Sequence, residues 1–248
     1  SWDAANDPGV YASGISGYNI YRDGPGGPSV VFSNSISLEQ SGLADGAYTY
    51  RIASIDHAGR ESTLSAELII TIDATSPLPT DVSCAPWINT DTNSLAWPEA
   101  TDISGVDYHE IDRDPSFTPT NPIQIDMPDL SYSDSPLSNG NEYKYRVRGT
   151  DLPANTGSWG NFCTTRVDMT PPVTTPTFSG TLGQNDWYRG GTSLSLSAID
   201  PDPLPSGVNN KKYKIGDGSY STYTAPLSIP EEGIITISYK SEDHAGNI

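Results

Sequence analysis

The residues best equipped for chemistry in this chain are its aspartates. Of 31 acidic residues, 22 are Asp and only 9 are Glu. Glu favours helices, whereas Asp favours turns, caps and hard-cation sites. Several of the aspartates recur at a fixed spacing. Asp7, Asp56 and Asp73 are each followed 95 residues later, by Asp102, Asp151 and Asp168, and Asp243 follows Asp151 by 92. Carboxylates drawn from several loops suit Ca²⁺, which takes roughly six to eight oxygens at 2.3–2.6 Å. Asp102 stands in a D-x-[ST]-G sequence and Asp56 and Asp243 in D-x-A-G sequences, which form Asx turns and cap backbone without any ion. No D-x-D-x-D-G loop of the EF-hand kind is present.

Other chemistries find less support. His57 and His244 are one position of a repeat and should lie far apart, and His109 adjoins a strand, so the three histidines make no zinc set and are expected to be exposed or turn residues. There is no G-x-S-x-G elbow and no glycine-rich phosphate loop between a strand and a helix. Carboxylate pairs for glycoside hydrolysis stay open with so many Asp, but the chain is read as non-enzymatic, with no organic cofactor. A net charge of −18 with 13 Lys and Arg disfavours nucleic acid and anionic membranes as partners. No apolar run approaches the ~18 residues of a membrane span, and no signal peptide is visible.

These residues need elements to position them. Gly and Pro supply 44 of 248 residues, and 14 Tyr and 5 Trp argue for a folded chain rich in turns. The sequence repeats itself. Trp2 matches Trp97, Tyr48 and Tyr50 match Tyr143 and Tyr145, and all of these pairs share the offset of 95. A third copy keeps the order of Asp, Ser-Gly and Tyr, and ends on a second DHAG. ISGYNIYR and YTYRIASI alternate with period two, which marks half-buried strands, and Asp-Gly at 23–24 and 217–218 marks hairpins. Short strands in units of ~95 residues imply an all-β fold of β-sandwiches.

The early Trp, SGI or SGV opening a Tyr-bearing strand, and Y-x-Y-R-[IV] in the first two copies, with D-x-A-G closing the first, resemble fibronectin type III modules. YKIGDG and TISYKSEDHAGN in the third resemble a bacterial immunoglobulin-like module. The resemblance covers nearly the whole chain. It implies tandem immunoglobulin-like sandwiches in a linear array, with modules at 1–73, 74–168 and 169–248. The first would lack its first strand and the third its last, as in a stretch cut from a longer protein, or in chains that exchange strands head to tail. In such modules the linker, the loop after the second strand and the last hairpin share one pole. That would gather Asp73, Asp102 and Asp151 at one junction, and Asp168, Asp200, Asp202 and Asp243 at the other, as candidate Ca²⁺ sites. It would also bring Cys84 close enough to Cys163 for a disulfide, and so imply an oxidising, extracellular setting. Trp2 and Trp97 would be core. Trp159, Trp187 and Tyr188 are the candidates for stacking on a glycan.

Three roles follow. The first is a structural or adhesive segment of a secreted or cell-surface protein, partnered by neighbouring modules and stiffened by proline linkers and Ca²⁺. The second is an accessory part of an extracellular polysaccharide-degrading enzyme, touching glycan. The third is a subunit of a filament built by strand exchange.

Overall fold

A computed structural model describes residues 1–114, 122–201, 203–229 and 232–248. Among these there is no helix, and seventeen strands carry the fold. They fall into two compact units, one of residues 1–78 with 101–107 and 150–157, the other of 79–100, 108–149 and 158–248.

The first unit is built on an antiparallel sheet of order β2-β1-β3-β4, formed by β1 (Ile15–Asp23), β2 (Ser29–Ser33), β3 (Gly46–Asp56) and β4 (Leu68–Ile72). Alternation decides its buried face, where Tyr18, Ile20 and Tyr48 are shielded. Trp2 closes edge-on against Tyr18, with ring centres 5.4 Å apart, and its backbone N–H donates to the Ile36 carbonyl at 3.0 Å. Tyr48 Oη donates back to the Ala44 carbonyl at 2.9 Å. Tyr143, 95 residues on, accepts at its Oη from the Ser138 N–H at 3.0 Å. A tyrosine at the start of this strand, bonded to backbone just upstream, is a hallmark of immunoglobulin-like sandwiches.

The second unit, together with residues 106–107 and 150–151 of the first, holds two sandwiches in sequence. In the first of them a five-stranded sheet of order β5-β11-β10-β7-β8 comprises β5 (Trp87–Ile88), β7 (Val106–Asp114), β8 (Ile123–Asp126), β10 (Glu142–Asp151) and β11 (Cys163–Val167). The pair β6 (Asn93–Ala96) and β9 (Ser131–Asp134) faces it. Val82, Leu95, Trp97, Ile111, Tyr145 and Val147 fill the space between, and Cys84 and Cys163 pack against that cluster. In the second, β12 (Val173–Leu182), β13 (Tyr188–Ile199) and β16 (Leu227–Ile229) form one sheet. Its partner sheet is β14 (Val208–Ile215), β15 (Ser221–Thr222) and β17 (Ile237–Asp243). Leu194 and Leu196 of β13 are buried, and the hydroxyls of Thr174 and Ser241 meet at 2.6 Å between β12 and β17. The chain is thus all-β and made of tandem fibronectin type III-like, immunoglobulin-like β-sandwiches.

One histidine departs from expectation. His109 is neither exposed nor in a turn. It lies on β7 with the parity of Ile111, fully buried, and its ring centre is 6.0 Å from that of Trp97. Nε2 accepts from the Ala100 N–H at 3.2 Å, which makes Nδ1 the protonated nitrogen. Burial lowers its pKa, against a smaller upward pull from Glu99.

Candidate metal centres at two aspartate clusters

Asp73, Asp102 and Asp151 each offer a carboxylate oxygen to a group whose members all lie within 4.8 Å of one another, and Asp168, Asp200 and Asp243 do the same. The first set lies wholly in the first compact unit and the second wholly in the second. Asp202 lies outside the described residues.

The two clusters share one construction. Asp73 directly follows β4 and Asp168 directly follows β11. Asp102 stands in the loop before β7, and Asp200 stands just after β13. Asp151 ends β10 and Asp243 ends β17. Each strand end then turns back on its own carboxylate. Asp151 Oδ1 accepts from Asn155 N–H at 2.6 Å, and Asp243 Oδ1 accepts from Gly246 and Asn247 N–H at 2.7 and 2.9 Å. The loop glycines hold left-handed φ values of 86° at Gly105 and 84° at Gly207, which turns their carbonyls toward the next residue of that turn. Gly105 O accepts from Leu152 N–H at 3.3 Å, and Gly207 O accepts from His244 N–H at 3.0 Å.

An asparagine locks each cluster. Asn155 Nδ2 donates to Asp151 Oδ2 at 2.9 Å and to the Asp73 carbonyl at 3.2 Å. Asn247 Nδ2 donates to Asp243 Oδ2 at 2.8 Å and to the Asp168 carbonyl at 2.7 Å. One amide thereby ties the strand-end turn to the segment that follows the other strand. The remaining carboxylates take backbone donors. Asp102 Oδ1 accepts from the N–H and hydroxyl of Ser104 at 2.8 Å each, Asp168 Oδ2 from Ser206 N–H at 2.7 Å, and Asp200 Oδ2 from Gly207 N–H at 2.8 Å. Asp73 Oδ2 is shielded from solvent and has no hydrogen-bond partner among the described residues.

Asp151, Asp168 and Asp243 are buried. Among the described residues, no ion pair involves Asp73, Asp102, Asp151, Asp168 or Asp243. Like charges gathered this closely at partly buried positions repel, and a divalent cation relieves that repulsion while accepting oxygen ligands. The donor set is all oxygen, which suits Ca²⁺ or Mg²⁺ over zinc.

The end of β3 handles the equivalent position differently. Asp56 ends β3, and its turn is closed by Arg60 where the other copies have Asn. Arg60 N–H and Nε donate to Asp56 Oδ1 and Oδ2, both at 2.8 Å. Together the backbone N–H and guanidinium of Arg60 hold the Asp56 carboxyl below its ordinary range. Asp7 accepts from the Gly14 N–H at 2.9 Å. An internal guanidinium therefore neutralises the carboxylate here. The asparagines and this arginine were not singled out in the sequence, although D-x-x-x-N recurs at 151–155 and 243–247.

The other candidates separate. Cys84 and Cys163 are joined, with Cα atoms 6.0 Å apart. Trp159 lies against two guanidiniums, Arg146 at 4.8 Å and Arg148 at 4.4 Å from the ring centre. Those arginines are paired with Asp112 and Glu110 on β7. Gly160 holds this segment down, because its N–H reaches Val147 O at 2.9 Å and a Cβ there would strike Thr80 O. Trp159 is thus the cap of a charged ladder, with its ring already engaged. Trp187 and Tyr188 instead line an open groove beside β12 and β13.

No known protein-family profile matches the chain. The chain is similar to Exoglucanase B of Cellulomonas fimi, 27% identical over 264 residues. That alignment takes in all of this chain but 23% of the relative's length. Among solved structures, the chicken CNTN1 FN1–FN3 domains align over 97% of this chain and 87% of theirs, at 12% identity and a TM-score of 0.37.

Proposed function

We propose that the chain is a non-catalytic segment of a larger secreted protein, three sandwich modules at 1–73, 74–168 and 169–248 that space and orient what they are attached to. In this reading each aspartate cluster binds one Ca²⁺. The ion ties the segment after one strand to the loop and turn that close over it, and so limits rotation there. The observation that carries the reading is the twofold recurrence of one construction, three carboxylates and an asparagine clamp. Turn formation alone explains the individual hydrogen bonds. It does not explain why three acidic groups meet twice, when a single arginine suffices at Asp56.

An accessory role in a polysaccharide-degrading enzyme is the second reading. The similarity to part of Exoglucanase B favours it. The Cys84–Cys163 bond supports an oxidising, extracellular setting in either case.

Thermal unfolding in EDTA and across a calcium titration tests the cation. A ligand that binds only the folded state stabilises it by about 2.7 kcal/mol at a hundredfold excess over Kd. The melting temperature should rise with calcium, and Asp168→Asn with Asp243→Asn should abolish the part of the rise that belongs to the second cluster. An unchanged melt at millimolar calcium would reduce the aspartates to turn formers.

A further inference from the structure

The β12–β13 hairpin carries an exposed aromatic wall that the spacer role does not use. Its tip is a backbone clamp. Asn185 and Asp186 adopt φ values of 54° and 62°, Gly183 N–H donates to Trp187 O at 2.6 Å, and Trp187 N–H donates to Gln184 O at 3.2 Å. Left-handed conformations cost energy in residues other than glycine, and here the turn holds both. The result is a tryptophan whose backbone is held in the turn while its surface stays 56% exposed. Tyr188 stands beside it, and Phe178 of β12 lies at 6.4 Å and 40° to the Tyr188 ring. Ile234, 90% exposed, lines the same groove. The groove measures about 670 Å³, within the range of small-ligand clefts.

The polar lining narrows the ligand. Asp186 and Glu232 also line the groove, and among the described residues no Lys or Arg does. A polyanionic chain would meet these carboxylates and a molecule of net charge −18. A wholly apolar ligand would bury the carboxylates without partners, at high cost. A neutral sugar chain meets both demands, since its axial C–H faces lie against aromatic rings while its hydroxyls donate to carboxylate oxygens. We infer that this groove is a binding subsite for a neutral polysaccharide, with Trp187 and Tyr188 as the stacking platform and Asp186 and Glu232 as hydroxyl acceptors.

The inference deepens the second reading of function and is independent of the cation clusters, so it is tested in EDTA. The full chain is run in native affinity gels containing hydroxyethyl cellulose, soluble xylan or galactomannan, with anionic polygalacturonate as the charged comparison. Retardation is expected in at least one neutral gel and not in polygalacturonate. Trp187→Ala should bind about tenfold more weakly, Trp187→Phe should keep part of the affinity, and Trp159→Phe should match the parent. Circular dichroism and melting curves of each variant separate lost binding from lost fold. Free migration of the parent in all three neutral gels overturns the proposal. So does a folded Trp187→Ala variant retarded like the parent, or stronger retardation by polygalacturonate.

Discussion

Asn247 is the residue on which the second cluster turns. Its amide serves two buried acceptors from different parts of the chain, the Asp168 carbonyl and the Asp243 carboxylate. Removing it strands both. An unsatisfied buried polar group costs about 1–3 kcal/mol, so Asn247→Ala should lower the denaturant midpoint by an amount in that range, without change in slope. Asn155→Ala should do the same through Asp73 and Asp151. Asn247→Asp, nearly the same shape, places a fourth carboxylate in the cluster and should be at least as destabilising in EDTA. If both variants unfold like the parent, the clamp holds nothing. His109 makes a separate prediction. Burial depresses its pKa below the ordinary 6.5, so between that value and its folded pKa the unfolded chain binds a proton that the folded chain refuses. Stability from this group is complete above about pH 6.5 and is lost as pH falls toward the folded pKa. Melting temperature measured from about pH 7 to about pH 5 should therefore fall more steeply in the parent than in His109→Gln. Equal slopes would show that the imidazole does not couple to folding.

Strands set which of these residues were visible in the sequence. Alternation and the offset of 95 exposed the Tyr strands and the Asp positions, because both signals survive in one dimension. The partners did not survive so plainly. Asn155 and Asn247 look like ordinary turn residues, and Arg60 breaks their recurrence in the first copy. His109 shares parity with Ile111, but the surrounding charges of β7 hid its burial. Trp159 needed knowledge of strand neighbours, because its ladder joins β10 arginines to β7 acids 34 and 38 residues away. The disulfide also acts at this scale. It staples the segment before β5 to β11 across a separation of 79 residues, and chain-entropy estimates for such a loop reach about 4 kcal/mol. Cys84→Ala with Cys163→Ala should lower the stability of the second compact unit by up to that amount in chemical denaturation. It should leave residues 1–78 unaffected by hydrogen exchange. A loss spread evenly over both units would contradict that division.

At the scale of the whole molecule, charge complicates any cation experiment. A chain with net charge −18 repels itself, and any salt that screens it favours the compact state. Calcium would therefore raise the melting temperature slightly even with no site. The two effects differ in their dependence on background salt. Diffuse screening is saturated by about 0.5 M NaCl, where the Debye length is near 4 Å. Coordination by carboxylates clustered within 4.8 Å is weakened there but not removed, because the oxygens contact the ion directly. The calcium response should therefore persist in high salt. It should saturate at two ions per chain by equilibrium dialysis, and fall to one when Asp168 and Asp243 are both replaced by Asn. The turn after β3 should add no third ion, because Arg60 already supplies the positive charge at Asp56. Arg60→Asn recreates the residue that clamps the other copies, yet brings no third carboxylate to Asp56 and Asp7. If that variant gains a calcium ion, the asparagine turn rather than the convergence of three carboxylates defines the site. If it only loses stability, three converging acids are the requirement, and the arginine is the internal substitute for the ion.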